Sequence, residues 1–133
     1  MRENSRMESS PEIVSFKWGE IRVKFKGVDY VYKDCKIFPS GSVEWDWNLT
    51  GTRHLPGIQL ADLESIKELN NKKCVVVLST GMDGVLQITP QLIEYLKENK
   101  IEYSIEKTPE AIRIYNKLVS YDRMVIGLFH STC

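Results

Sequence analysis

Along this chain the rhythm of hydrophobic and polar positions changes once, near Pro56-Gly57. Before that point the period is two. Ile21, Val23 and Phe25 alternate with Arg22 and Lys24, which predicts a strand with one buried and one wet face. Similar runs at Ile13 to Phe16 and Val28 to Tyr32 are set off by Trp18-Gly19-Glu20 and Lys26-Gly27, so three strands should form an antiparallel meander. A further extended piece, Cys35 to Phe38, stops at the turn signal Pro39-Ser40-Gly41 and delivers the chain to Trp45 and Trp47.

After Pro56-Gly57 the spacing lengthens. Leu60, Leu63, Ile66 and Leu69 predict a helix with Asp62, Glu64 and Lys67 interspersed, ended by Asn70-Asn71. Cys74 to Leu78 is a continuous apolar run, the pattern of a strand covered on both faces. Thr89-Pro90 predicts the start of a second helix, with Thr as the cap and Pro at the first position, and Thr108-Pro109 repeats the device for a third. Short strands are expected at Glu102 to Glu106 and Met124 to Phe129. The second half therefore reads β-α-β-α-β. The fold class that follows is α/β, a mixed sheet with helical crossovers in the C-terminal half and an antiparallel β meander at the N-terminus.

Residues 1 to 11 are polar and Ser-rich and end at Pro11, which predicts a flexible tail before a single domain over 12–133. A chain of 133 residues can bury roughly two-thirds of its unfolded surface without a metal or disulfide staple. Eighteen basic and eighteen acidic residues cancel, leaving no global field for nucleic acid or an anionic membrane. No apolar run approaches the ~20 residues of a membrane helix. Three widely spaced cysteines and the lack of a leader pattern predict a reduced, cytosolic protein.

Candidate chemistry gathers in two places. Trp45, Asp46 and Trp47 combine aromatic area with a carboxylate, and the following loop carries Arg53 beside His54. There Asp46 could orient the imidazole and Arg53 could bind an anion, or Asp46 and Arg53 could simply pin the loop as an ion pair. The second place is Phe129-His130-Ser131-Thr132-Cys133, at the carboxyl end of the last expected strand, where α/β sheets form ligand crevices. A thiol with a neighbouring imidazole could be a nucleophile and base, but no nucleophile motif surrounds Cys133, and capping or lining is the plainer role. Ser79 to Gly84 is glycine-rich, yet it matches neither dinucleotide nor Walker pattern and is read as a tight turn out of the sheet. With two histidines and no ligand doublet, no metal, cofactor or catalytic residue is expected.

Several segments carry a family resemblance. Ser10-Pro11-Glu12-Ile13, Tyr32-Lys33-Asp34-Cys35-Lys36, Trp45-Asp46-Trp47, Gly51 to Gln59 and the ending Phe129 to Cys133 resemble the adipogenesis-associated Mth-type domain-containing proteins, over Ser9 to Cys133. The resemblance implies one α/β domain of the Mth-type fold, cytoplasmic, linked with fat-cell differentiation and with no established enzymatic activity. More distant members resemble assembly factors of mitochondrial complex I. Two functions are thus expected as rivals. One is a regulatory adaptor that binds a protein partner through Trp45, Asp46, Trp47, Arg53, His54, His130 and Cys133; the other is a small-molecule site or cryptic enzyme at Asp46, His54, His130 and Cys133.

Overall fold

The computed structural model describes residues 10–71 and 73–133. Residues 1–9 of the expected tail lie outside these. Pro11 is already buried, and its carbonyl accepts from Tyr115 Oη at 2.6 Å.

The meander forms as the alternation requires. Strands β1 (Glu12–Lys17), β2 (Glu20–Phe25) and β3 (Val28–Tyr32) make an antiparallel three-stranded sheet in the order β1-β2-β3. Ile13, Ile21 and Val23 turn one way and are buried, while Arg22 and Lys24 face solvent and reach Asp29. The remaining strands are β4 (Cys35–Phe38), β5 (Gly41–Glu44), β6 (Val75–Ser79), β7 (Glu102–Glu106) and β8 (Val125–Phe129), ordered β5-β4-β8-β6-β7. β6 is parallel to both β7 and β8, and β4 is antiparallel to β8 and β5, so the sheet is mixed. Every residue of β6 and β8 is buried, as a strand covered on both sides must be.

Alternation along these central strands splits the core in two. On one face Ile37, Val77, Val125 and Phe129 pack with the meander and with Ala111, Ile112 and Tyr115 of a long helix. On the other, Val76, Leu78, Ile126 and Leu128 pack with Leu63, Leu92, Leu96 and Trp45.

Two helical expectations change in the structure. The predicted helix from Leu60 to Leu69 is a single α turn, α1 (Ala61–Glu64), and a 3-10 turn, Lys67–Asn70, separated by Ile66 in an extended conformation. Apolar residues spaced strictly by three suit three residues per turn, and with no apolar i+4 partner they do not define the broad stripe that holds an α-helix to a core. The helix α2 (Pro90–Glu98) has the expected cap, with Thr89 Oγ1 accepting from Leu92 N. In α3 (Thr108–Ser120), however, Lys107 is the capping residue and makes no side-chain bond. Thr108 is buried inside the first turn, and its hydroxyl donates to the carbonyl of His130 at 2.6 Å. A tertiary acceptor has taken the hydroxyl that the local pattern assigned to the cap.

Candidate functional site

Two buried carboxylates organise the region around the tryptophans. Asp62 has no accessible surface, and four hydrogen-bond donors satisfy it. Trp45 Nε1 (3.0 Å) and Thr50 Oγ1 (2.7 Å) donate to Oδ1, and Thr52 Oγ1 (2.7 Å) and Gln59 N (2.9 Å) donate to Oδ2. Each donor lies on or beside the 46–59 loop, so this one residue gathers the loop onto the core. Asp46 has a smaller task, accepting from Asn48 N at 2.9 Å to start the 3-10 turn Trp47–Leu49. Arg53 is exposed and donates to the carbonyl of Thr52. Among the described residues no ion pair joins Asp46 to Arg53.

The rest of the loop is pinned to the segment before α2. His54 O accepts from Gln87 N, and Ile58 exchanges backbone bonds with Gln87 and Thr89. This fixes where His54 stands.

The second carboxylate, Asp34, sits in the turn between β3 and β4. Its oxygens lie 3.1 and 3.2 Å from His130 Nδ1, and Oδ1 also accepts from Ser131 N at 2.9 Å. An ionised carboxylate can only accept, so in the neutral ring Nδ1 carries the proton and Nε2 keeps its lone pair. Thr132 Oγ1 lies 3.3 Å from that Nε2. His130 N also takes an acceptor in Ser79 Oγ, so the residue is held at backbone and side chain alike.

Residues 131–133 lie against the glycine-rich turn that follows β6. Met82 N donates to Thr132 O and Val85 N to Cys133 O. At Gly81, with φ +96°, an added Cβ would stand 2.5 Å from the Cys133 carbonyl and 2.9 Å from the His130 ring. Only glycine permits that approach. The turn read as a way out of the sheet also seats the last three residues.

These elements bring together residues that are distant in sequence. Cys133 Sγ lies 3.3 Å from His54 Nε2. The rings of His54 and His130 are 5.5 Å apart, and Trp47 lies 5.2 Å from the first and 4.7 Å from the second. A cavity of about 300 Å³ opens here, lined by Lys33, Asp34, Glu44, Trp45, Asp46, Trp47, His54, His130 and Thr132. Of the residues singled out from sequence, Arg53 stands outside this lining and Cys133 touches it through His54. Around the cavity are three carboxylates against one ammonium, which disfavours the anion-binding version of the loop. Larger depressions, such as one bounded by Ile88, Pro90, Ile93 and Lys97 on α2, bring no such set of groups together.

Burial separates the three thiols. It pushes Cys35 well above its ordinary range, with the Asp34 carboxylate adding to the shift, and it raises Cys74, with Glu68 adding less. Both are poor nucleophiles. Cys133 is half-buried and is the thiol beside an imidazole. Trp47 Nε1 and Ser131 Oγ, both in this neighbourhood, are buried without a hydrogen-bond partner among the described residues.

Sequence reasoning missed Asp34 and Asp62. The local pattern sets Asp62 among polar residues interspersed on a helix, whereas its place beside Leu63 in a one-turn element turns it inward. Asp34 had no local signal beyond its place just before a strand.

Comparison with known proteins bears on the fold and the family. A family model described as "Protein of unknown function (DUF498/DUF598)" matches residues 13–130. The structure is similar to that of a protein described as an outer membrane protein from Bartonella henselae, with a TM-score of 0.70 and 21% identity over 95% of this chain and 98% of that one. It is also similar to MT938, at TM-score 0.69 and 21% identity over 93% and 100% of the two chains. The conserved hypothetical protein PH1505 from Pyrococcus horikoshii OT3 gives TM-score 0.69 and 23% identity over 92% and 99%. At these identities the likeness carries the architecture alone. Among the described residues no helix is long and apolar enough to cross a membrane.

Proposed function

Since this chain belongs to the DUF498/DUF598 family, whose shared fold fixes no chemistry, we propose a function from the cavity itself: a binding domain for a compact organic cation. The observation that carries this reading is the lining, in which the indole rings of Trp45 and Trp47 meet the carboxylates of Asp34, Glu44 and Asp46 with Lys33 as the single ammonium. Aromatic faces and carboxylates together favour an alkylammonium group, and the cavity is at the small end of ligand sites. A binding role suits the geometry better than catalysis, because Cys133 pairs with His54 while the orienting carboxylate, Asp34, pairs with His130. The nucleophile, base and orienter are not in one line.

The test is a thermal-shift series of primary, quaternary and poly-amines against matched carboxylates, with chelator present. A bound amine at about a hundred times its dissociation constant should raise the melting temperature by roughly 10 °C. Glu44→Gln and Trp47→Ala should reduce the shift. A response to carboxylates only, or an amine shift indifferent to both variants, would discard the reading.

A second reading is the regulatory adaptor, acting on a protein partner in the cytosol and linked by family resemblance with fat-cell differentiation. Leu49 and Leu55 support it: they are 82% and 77% exposed on the loop that walls the cavity. The reading takes 12–133 as one working domain. Leu49→Ser with Leu55→Ser should abolish capture of that partner without moving the melting temperature. Capture that is unaffected by the double change would remove the loop from the adaptor reading.

A further inference from the structure

We propose that His54, His130 and Cys133 form a zinc site with three protein ligands and a fourth position open to the cavity. The proposal shares the cavity with the cation reading but does not depend on it. The spacing of the two histidines in sequence argues against a metal, because neither belongs to a local ligand doublet. The fold supplies the doublet instead. His54 Nε2 and Cys133 Sγ, 79 positions apart in the chain, are 3.3 Å apart, and the donor atoms of all three residues lie within 4.8 Å of one another.

Zinc bonds of about 2.0–2.1 Å to nitrogen and about 2.3 Å to sulfur place tetrahedral ligand atoms roughly 3.3–3.6 Å from each other. The His54–Cys133 separation already meets that spacing. Closing the widest separation takes a shift on the order of 1 Å, and His54 and Cys133 are the half-buried members with room to make it.

An independent feature points the same way. His130 is 3% exposed, and its Nδ1 is engaged by both oxygens of Asp34. A carboxylate on the remote nitrogen fixes the tautomer and aims Nε2 at the metal, which is the usual supporting arrangement for a histidine ligand. The Trp47 ring, tilted by 40° with its centroid 4.7 Å away, packs against the imidazole and restricts its turning. Thr132 Oγ1, now 3.3 Å from Nε2, would give way to the ion or lie beside it. One thiolate and two neutral imidazoles leave the bound ion with a single net positive charge, and Asp34 offsets it at one remove. The mixed sulfur and nitrogen donors select zinc over the oxygen-seeking magnesium and calcium ions.

The experiment titrates cobalt(II), as a spectroscopic stand-in for zinc, into the chelator-treated full chain. One equivalent should bring up a near-ultraviolet thiolate-to-cobalt band and the visible bands of a four-coordinate ion, and zinc should bleach both. Cys133→Ser and His54→Ala change half-buried residues, so circular dichroism should show an intact fold while the thiolate band is lost. Asp34→Asn should weaken binding about 10–100-fold. The proposal is overturned if no thiolate band develops, if the band survives Cys133→Ser, or if affinity is unchanged in His54→Ala. Failure here leaves the amine response in chelator untouched, and failure of the amine response leaves the cobalt spectrum untouched.

Discussion

Asp34 holds His130 through a separation of 96 residues, with both carboxylate oxygens 3.1–3.2 Å from Nδ1 and the neighbouring Ser131 N on the same carboxylate at 2.9 Å. It thereby ties the turn before β4 to the residues after β8. The pair is buried, so replacing the charged acceptor exposes the cost of the groups left behind. Asp34→Asn should lower stability by about 2 kcal/mol, measured by urea unfolding. Nitrogen-15 spectra should show His130 protonated at Nδ1 in the wild type and a mixture of tautomers in the variant. A single unchanged tautomer in both would mean that the carboxylate does not set the ring.

The two adjacent tryptophans should behave differently when replaced by phenylalanine. Trp45 is 3% exposed and its indole N–H satisfies Asp62, so Trp45→Phe removes a bond to a buried carboxylate and should cost about 2–3 kcal/mol. Trp47 carries a buried indole N–H with no hydrogen-bond partner among the described residues. Removing that group relieves a desolvation penalty that offsets the lost ring area, so Trp47→Phe should stay within about 1 kcal/mol of wild type. Urea curves followed by circular dichroism would compare them. Equal losses would refute this division of roles.

Thiol reactivity should sort the cysteines by their surroundings. Cys35 and Cys74 are buried with raised pKa values, whereas Cys133 is half-buried beside His54. An aromatic disulfide reagent at neutral pH should titrate one thiol in the folded protein and all three in denaturant. Mass spectrometry should find the fast label on Cys133.

Alkaline pH should destabilise the fold through Cys35. Its ordinary pKa is 9.0, and burial, reinforced by Asp34, raises it in the folded state. Below that pH the thiol is protonated in both states and the full stability is present. Above it the unfolded chain releases a proton that the folded chain retains, so stability falls as pH rises, by up to about 1.4 kcal/mol per pH unit. Tyr115, whose burial also raises it, adds the same sign from pH 10.0 upward. Cys35→Ala should be less stable at neutral pH but decline more gently between about pH 9 and 10, read from denaturant midpoints. Parallel curves would show that another group titrates.

Most of the fold could be read from the chain because most of it is local. Alternation at Ile21, Val23 and Phe25, the apolar run from Cys74 to Leu78, and the Thr89-Pro90 cap each depend on neighbours within one strand or one helical turn. What could not be read is where a side chain finds a partner elsewhere. Thr108 matched a cap pattern, but the His130 carbonyl lay closer to its hydroxyl. The Leu60 to Leu69 spacing matched a helix, but burial of Asp62 under four donors belongs to a single turn.

The site divides in the same way. By itself the sequence determined which residue types stand near the ends of strands and in loops: the tryptophans after β5, the Arg53-His54 loop, and the His130 to Cys133 ending. Adjacency then suggested Asp46 as the partner of His54 and Arg53. Tertiary structure alone decided that Asp34, one of several unremarkable carboxylates, orients His130, and that His54 meets Cys133. The physical reason is that hydrogen bonds and metal coordination act over about 2–4 Å. Contacts between positions 34, 54, 130 and 133 come from sheet order and the close approach allowed at Gly81, and no local period encodes either.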